Sequence, residues 1–133
     1  MQHLSSAPPE ASRATILVAE DHFDSRHALR TLLEAVGYRA LEARNGREAV
    51  EQAVAEHPDL ILMDIMMPEF DGLQAIRELR SREETRSIPI IAVTAMDSAQ
   101  RVSMEAGADD IVAKPVDTRA LLAKVRDLVD QGV

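Results

Sequence analysis

The chain has 133 residues, 46% of them hydrophobic and none of them cysteine, which fits one globular domain built without a disulfide. Acidic residues outnumber basic ones 23 to 15, and a net charge of -8 argues against a nucleic-acid backbone as partner. Two Phe, one Tyr and no Trp leave little for base stacking, and no apolar run approaches the ~20 residues of a membrane span.

Residues 1–13, MQHLSSAPPEASR, carry no apolar core of the kind a signal peptide needs. They read as a flexible leader ahead of a domain over 14–131. With no cysteine to oxidise, a reducing cytoplasm is the expected location. Residues 15–19 (TILVA) are short, apolar and partly β-branched, and they predict a first strand that ends in Glu20 and Asp21. Leu29, Leu32, Leu33 and Val36 then fall at i, i+3, i+4 and i+7, a helical stripe that Gly37 closes. Asp21 and Asp24 are both available to cap that helix. A weaker strand candidate covers 38–43, and Asn45-Gly46 opens a second helix with Ala49, Val50, Ala53 and Val54 on one face.

Residues 59–63 (DLILM) predict a third strand, directly followed by Asp64. Asp71-Gly72 forms the turn into a third helix lined by Leu73, Ile76 and Leu79. Residues 89–93 (PIIAV) predict a fourth strand ending at Thr94. A weakly amphipathic helix over about 98–106 stops at Gly107. Residues 110–113 are a weaker fifth strand that runs into Lys114-Pro115. Leu121, Leu122, Val125, Leu128 and Val129 give the last helix, capped by Asp117 or Thr118.

The order is β-α repeated five times, an α/β alternation that implies a parallel sheet with helices on both faces. Continuous apolar runs suit strands covered on both sides. Right-handed crossovers leave few topologies, and ligands of such sheets bind beyond the carboxyl ends of the strands. Glu20, Asp21, Asp64, Thr94 and Lys114 all fall at those ends.

A carboxylate closing the most apolar segment needs a partner, because an unpaired buried charge is costly. Two carboxylates about 5 Å apart repel by roughly 3 kcal/mol at an effective dielectric near 20. Three together need a cation or a raised pKa. His3, His22, His27 and His57 share no metal spacing, so only oxygen ligands are on offer. Oxygen ligands select a hard ion, Mg²⁺ or Mn²⁺. A metal-bound carboxylate facing a phosphoryl donor can act as nucleophile, with Thr94 and Lys114 holding the phosphoryl oxygens. Met63, Met66 and Met67 read as strand core and loop packing rather than a soft-metal site.

With ILVAED, DLILMDIMMPEFDG, IPIIAVTA and GADDIVAKP in order and at the right spacing, the chain resembles the receiver domain of two-component response regulators over about residues 15–129. The resemblance implies a flavodoxin-like, doubly wound sheet of strand order 2-1-3-4-5 with five helices. It implies phosphorylation at Asp64, Mg²⁺ at Asp21, Asp64 and the main-chain carbonyl of Met66, and Glu20 reaching the ion directly or through water. It also implies a cis Lys114-Pro115 bond, and Thr94 and Lys114 on the phosphoryl group. The phosphoryl donor would be a sensor histidine kinase or a histidine phosphotransfer protein. Such a receiver is not an enzyme in the usual sense, but it promotes its own phosphorylation and dephosphorylation.

The position three before Lys114, usually aromatic in that family, is Ile111 here. Output is expected through protein contacts or a separate chain, at the face of the fourth helix, fifth strand and fifth helix, including a phosphorylation-linked dimer. Met66 and Met96 occupy the positions that in the family flank the path of the hydrolytic water, which predicts slow self-dephosphorylation. Rival readings fit less well. A haloacid-dehalogenase phosphatase wants a second Asp where Met66 stands, and a flavodoxin-type nucleotide module wants glycine or hydroxyl residues where EDHFD stands. An interaction domain with a vestigial site would not need the full set of acids.

Overall fold

Strands and helices alternate along the chain in the order β1 (Thr15–Ala19), α1 (Phe23–Ala35), β2 (Arg39–Ala43), α2 (Gly46–Glu56), β3 (Leu60–Asp64) and α3 (Gly72–Ser81). Then follow β4 (Ile90–Thr94), α4 (Asp97–Ala106), β5 (Asp110–Ala113) and α5 (Thr118–Gln131). The structure is a computed structural model and describes residues 13–67, 71–95 and 97–131. All of the expected leader but Arg13 lies outside them, and so does Met96. The strands form one parallel sheet of order β2-β1-β3-β4-β5, the doubly wound arrangement that the alternation implies. Among the described residues no helix is long and apolar enough to cross a membrane.

Side chains of a strand alternate between the two faces of a sheet. Here both faces are covered. Leu17, Ala19, Ile61, Met63, Ile90 and Ala92 pack with Ala49, Val50 and Ala53 of α2, Ala75, Ile76 and Leu79 of α3, and Ala99 of α4. The intervening residues, Ile16, Val18, Leu60, Leu62, Ile91, Val93 and Val112, pack with Leu33 of α1 and with Leu121 and Val125 of α5. This is why the strands read as unbroken apolar runs rather than as alternating ones. Each fully buried Leu or Ile contributes about 1.5–3 kcal/mol, so the central strands hold the sheet rigidly.

Two strands end on polar residues, Asp64 and Thr94, as the sequence predicts. Asp64 pairs in register with Val93, and Thr94 with Ala113. The Ile65 N–H continues the ladder to the Val93 carbonyl at 3.1 Å. Both polar residues are therefore the last rungs of buried strands rather than the first residues of loops.

The helix starts follow local chemistry. Asn45 caps α2 by accepting the Glu48 N–H at 2.8 Å. Asp71 and Gln74 form a reciprocal capping box at the start of α3, at 2.9 and 3.2 Å. Asp117, not Thr118, caps α5, accepting the N–H groups of Arg119 and Ala120 at 3.0 and 3.1 Å. The expectation fails at α1, whose cap residue is His22 with no side-chain capping bond. Asp21 points its carboxylate toward Glu20 and Asp64 instead, and Asp24 lies inside the first turn.

Gly72 is the point at which α3 meets the site. A β-carbon there would collide with the backbone carbonyl oxygen of Asp64 and lie 2.8 Å from the Ile65 Cα. Backbone cannot swing aside as a side-chain tip can. Gly72→Ala should therefore lower stability in urea unfolding by about 1–3 kcal/mol, the usual overpacking range. A loss no larger than that of an ordinary surface substitution would show that the close approach relaxes freely.

Candidate functional site

β1 and β3 are neighbours in register, with Ala19 opposite Met63. The next residues, Glu20 and Asp64, therefore arrive side by side at the carboxyl edge. Both are buried, at 5% and 3% exposure, whereas Asp21 is exposed. One carboxylate oxygen from each of Glu20, Asp21 and Asp64 lies within 4.8 Å of the others. Thr94, fully buried, ends the adjacent β4, and its carbonyl accepts the Lys114 N–H at 3.0 Å. That bond places Lys114 at the mouth of β5, where its Nζ lies 3.1 Å from Asp64 Oδ2 and 3.6 Å from Glu20 Oε1. The Lys114-Pro115 peptide bond is cis.

The Asp64 carboxylate is clamped at both oxygens. Oδ1 accepts the Met66 N–H at 3.0 Å, and Oδ2 accepts from Lys114. Met63 and Met67 are buried, as their packing role predicts. Met66 is not packed. The residue is 59% exposed, and its N–H is the group that faces Asp64.

Charge at this edge is unbalanced. Three carboxylates and one ammonium leave a surplus of two negative charges when all are ionised. Burial pushes the Glu20 carboxyl up to about 7. The His22 N–H, which Glu20 Oε2 accepts at 3.0 Å, pulls against this, Asp64 pushes the same way as burial, and Lys114 opposes it. Burial works against the charge on Lys114, yet the hydrogen bond and charge of Asp64, with Glu20, raise its pKa. An all-oxygen donor set with excess negative charge fits a hard divalent cation. The residues expected from the sequence are thus brought together, acids and lysine in contact and the threonine at the adjacent strand end.

One participant was not expected. Arg26 is 7% exposed, and its Nη1 donates to the Glu20 carbonyl at 3.0 Å. A signal exists in the sequence, because Arg26, Leu29 and Leu33 share one helical stripe. A charge on a buried stripe marks a group with a specific partner.

The raised Glu20 pKa gives a pH prediction for the metal-free protein. A carboxyl whose folded pKa lies above its unfolded value contributes stability that is fully present below the unfolded pKa. That contribution is lost as pH rises through the folded value. Glu20→Gln removes the titration, so in chelator its stability advantage over wild type should be small at pH 5 and should grow to pH 8. The full difference is on the order of 3 kcal/mol. Urea unfolding at both pH values measures it, and an advantage independent of pH would mean that Glu20 stays ionised throughout.

The family model of the response regulator receiver domain matches residues 16–126. The probable transcriptional regulator ycf27 of Cyanophora paradoxa is 40% identical over 122 residues, which are 90% of this chain and 50% of that protein. The polar-differentiation response regulator DivK of Brucella ovis is 36% identical over 114 residues, 84% of this chain and 93% of that protein. The chain thus spans about half the length of relatives such as ycf27 and the response regulator MprA, and nearly all of DivK. Among solved structures, the receiver domain of sensor histidine kinase PA1611 from Pseudomonas aeruginosa has a magnesium ion in its active site cleft. It superposes with a TM-score of 0.83 at 32% identity, covering 90% of this chain and 99% of that one. With the family model matching residues 16–126 and the fold shared with solved receiver domains, the chain belongs to the response regulator receiver domain family.

Proposed function

We propose that this receiver, over residues 14–131 with 1–13 as a leader, is a phosphorylation-operated switch. In this reading Asp64 is the phosphoacceptor, and Glu20, Asp21, Asp64 and the main-chain carbonyl of Met66 hold Mg²⁺, with Mn²⁺ able to substitute. One observation carries the reading. The Asp64 carboxylate sits at the end of a rigid buried strand, clamped by an N–H and an ammonium, with two further carboxylates beside it. The magnesium ion of PA1611 supports the choice of metal.

The bound cation would offset the acidic surplus and the charge of the incoming phosphoryl group. An Asp64 oxygen forms the new bond to phosphorus as the phosphorus–nitrogen bond of a phosphohistidine donor breaks. The clamp keeps the carboxylate in one orientation, which removes an ordering cost from the encounter. Lys114 then turns from the carboxylate to a phosphoryl oxygen, and the Thr94 hydroxyl takes another. Charge-assisted hydrogen bonds contribute roughly 1.5–3 kcal/mol each, so two give about 3–6 kcal/mol. Moving a two-state equilibrium from 1:99 to 99:1 takes about 5.5 kcal/mol, which is the same scale.

The donor is a sensor histidine kinase or a histidine phosphotransfer protein, the location is the cytoplasm, and the output is a change in protein contacts or self-association. The face of α4, β5 and α5 is the proposed output surface. Ile111 there is half-buried against the α2–α4 side of the core, where a branched aliphatic group serves as packing. Lys124 is engaged with Asp110 at 2.9 Å within the chain. Arg101 is also paired within the chain, with Glu105 of its own helix at 3.3 Å, but at 86% exposure it is the more accessible probe of a partner.

Incubation with acetyl phosphate and Mg²⁺ should add one phosphoryl group, detected by intact mass, and chelation or Asp64→Asn should abolish it. Asp21→Ala should weaken Mg²⁺ binding far more than Glu20→Gln. Labelling of Asp64→Asn at the wild-type level would refute the assignment. The exposed Met66 side chain cannot orient the hydrolytic water, so Met66→Asn should hasten decay of the phosphorylated protein. One gained hydrogen bond of about 1 kcal/mol corresponds to roughly a fivefold rate change. Decay followed after donor removal at saturating Mg²⁺ checks this, and an unchanged rate would make Met66 a bystander.

A further inference from the structure

Arg26 lies in the first turn of α1, nearly buried, and spans two partners. Its Nε donates to Glu42 Oε1 of β2 at 2.6 Å, and its Nη1 donates to the Glu20 carbonyl at 3.0 Å. The Phe23 ring covers it at 5.4 Å, and His27 stacks on Phe23 at 5.5 Å. The far oxygen of Glu42 accepts from Arg30 at 2.8 Å, so the acceptor is itself held.

The Glu20 peptide is thereby tied at every polar group. Its N–H donates to the Ala43 carbonyl at 3.0 Å, its carbonyl accepts from Arg26, and its carboxylate accepts from His22. β1 ends at Ala19, and the Glu20 N–H bond to Ala43 carries its ladder to β2 one step further. The guanidinium supplies the partner for the Glu20 carbonyl, on the peptide that joins two of the three clustered carboxylate residues.

We propose that Arg26 is a positioning residue for the cation site, holding the Glu20 carbonyl so that the carboxylates of Glu20 and Asp21 are presented together to Mg²⁺. The inference rests on the reading that these acids hold that ion. Charge alone would act in the opposite direction, because a buried cation near the site repels a second one. Glu42 neutralises that charge and leaves the geometric hold. The sign of the effect therefore separates positioning from electrostatics, and a purely structural ion pair would change stability without changing metal affinity.

The test is calorimetric titration of Mg²⁺ into the full chain for wild type, Arg26→Met and Arg26→Lys, with folding checked by circular dichroism. Loss of an outer-shell partner that orients a ligand typically weakens metal binding by about tenfold or more. Arg26→Met should show that weakening. Arg26→Lys keeps the charge but presents one head group to two acceptors, and should fall between Arg26→Met and wild type. Wild-type or tighter affinity in folded Arg26→Met overturns the proposal. If Arg26→Met does not fold, Arg26→Lys decides alone, weakening supporting the proposal and unchanged affinity overturning it. In chelator, the amides of Asp21 and His22 should exchange faster in both variants than in wild type. A wild-type chain that binds no Mg²⁺ removes the metal reading, and the exchange measurement then shows whether Arg26 holds the loop.

Discussion

A negative charge at the end of a fully buried strand is the constraint around which the rest of this structure is arranged. Asp64 is 3% exposed and follows four residues with almost no exposure. Such a charge persists only with close partners. The fold supplies an N–H from the following loop and an ammonium from β5. The ammonium belongs to Lys114, fifty residues away, so both oxygens are satisfied only when the sheet is assembled. Site formation and folding are in this sense the same event.

Rigidity follows from the way the sheet is covered. With helices on both faces, β3 is fixed by packing above and below and by ladders to β1 and β4. A one-residue slip would send the apolar set of one face to the other and drag Asp64 off the edge. α3 adds a stop, since its first residue, Gly72, touches the Asp64 backbone. The acids around Asp64 differ in kind. Glu20 is buried and its carboxyl is pushed toward neutrality, while Asp21 is exposed. The two neighbours in sequence would thus present different environments to a cation held there.

If Asp64 is phosphorylated as proposed, the arrangement would give that change a route to the surface. Lys114 and Thr94 end adjacent strands, joined by a backbone bond of 3.0 Å. Any rearrangement at Asp64 that recruits both must pull on β4 and β5 together. β5 carries Ile111 on the side facing α2, α3 and α4, and Asp110 paired with Lys124 of α5. The mechanical route from the acidic edge to the outer helices is therefore short and made of packed groups.

Much of this was written in local sequence. Short apolar runs bounded by polar residues, alternating with i, i+3, i+4 stripes, read as buried strands and helices packed on the sheet. The alternation then dictates a parallel sheet whose strand ends hold Glu20, Asp21, Asp64, Thr94 and Lys114. Caps at Asn45, Asp71 and Asp117 were legible because capping is a bond between residues two or three apart. What lay beyond local reach depended on groups distant in sequence. Asp21 does not cap α1, whose cap position is His22, and its carboxylate lies instead with those of Glu20 and of Asp64 from another strand. Met66 is exposed rather than packed in the loop, while its N–H bonds to Asp64. Arg26 is buried because Glu42, sixteen positions away, and the Glu20 carbonyl converge on it. Periodicity reports which face of an element is apolar. Only the assembled sheet determines which polar atoms come within reach of one another, because a hydrogen bond is decided by tenths of an ångström.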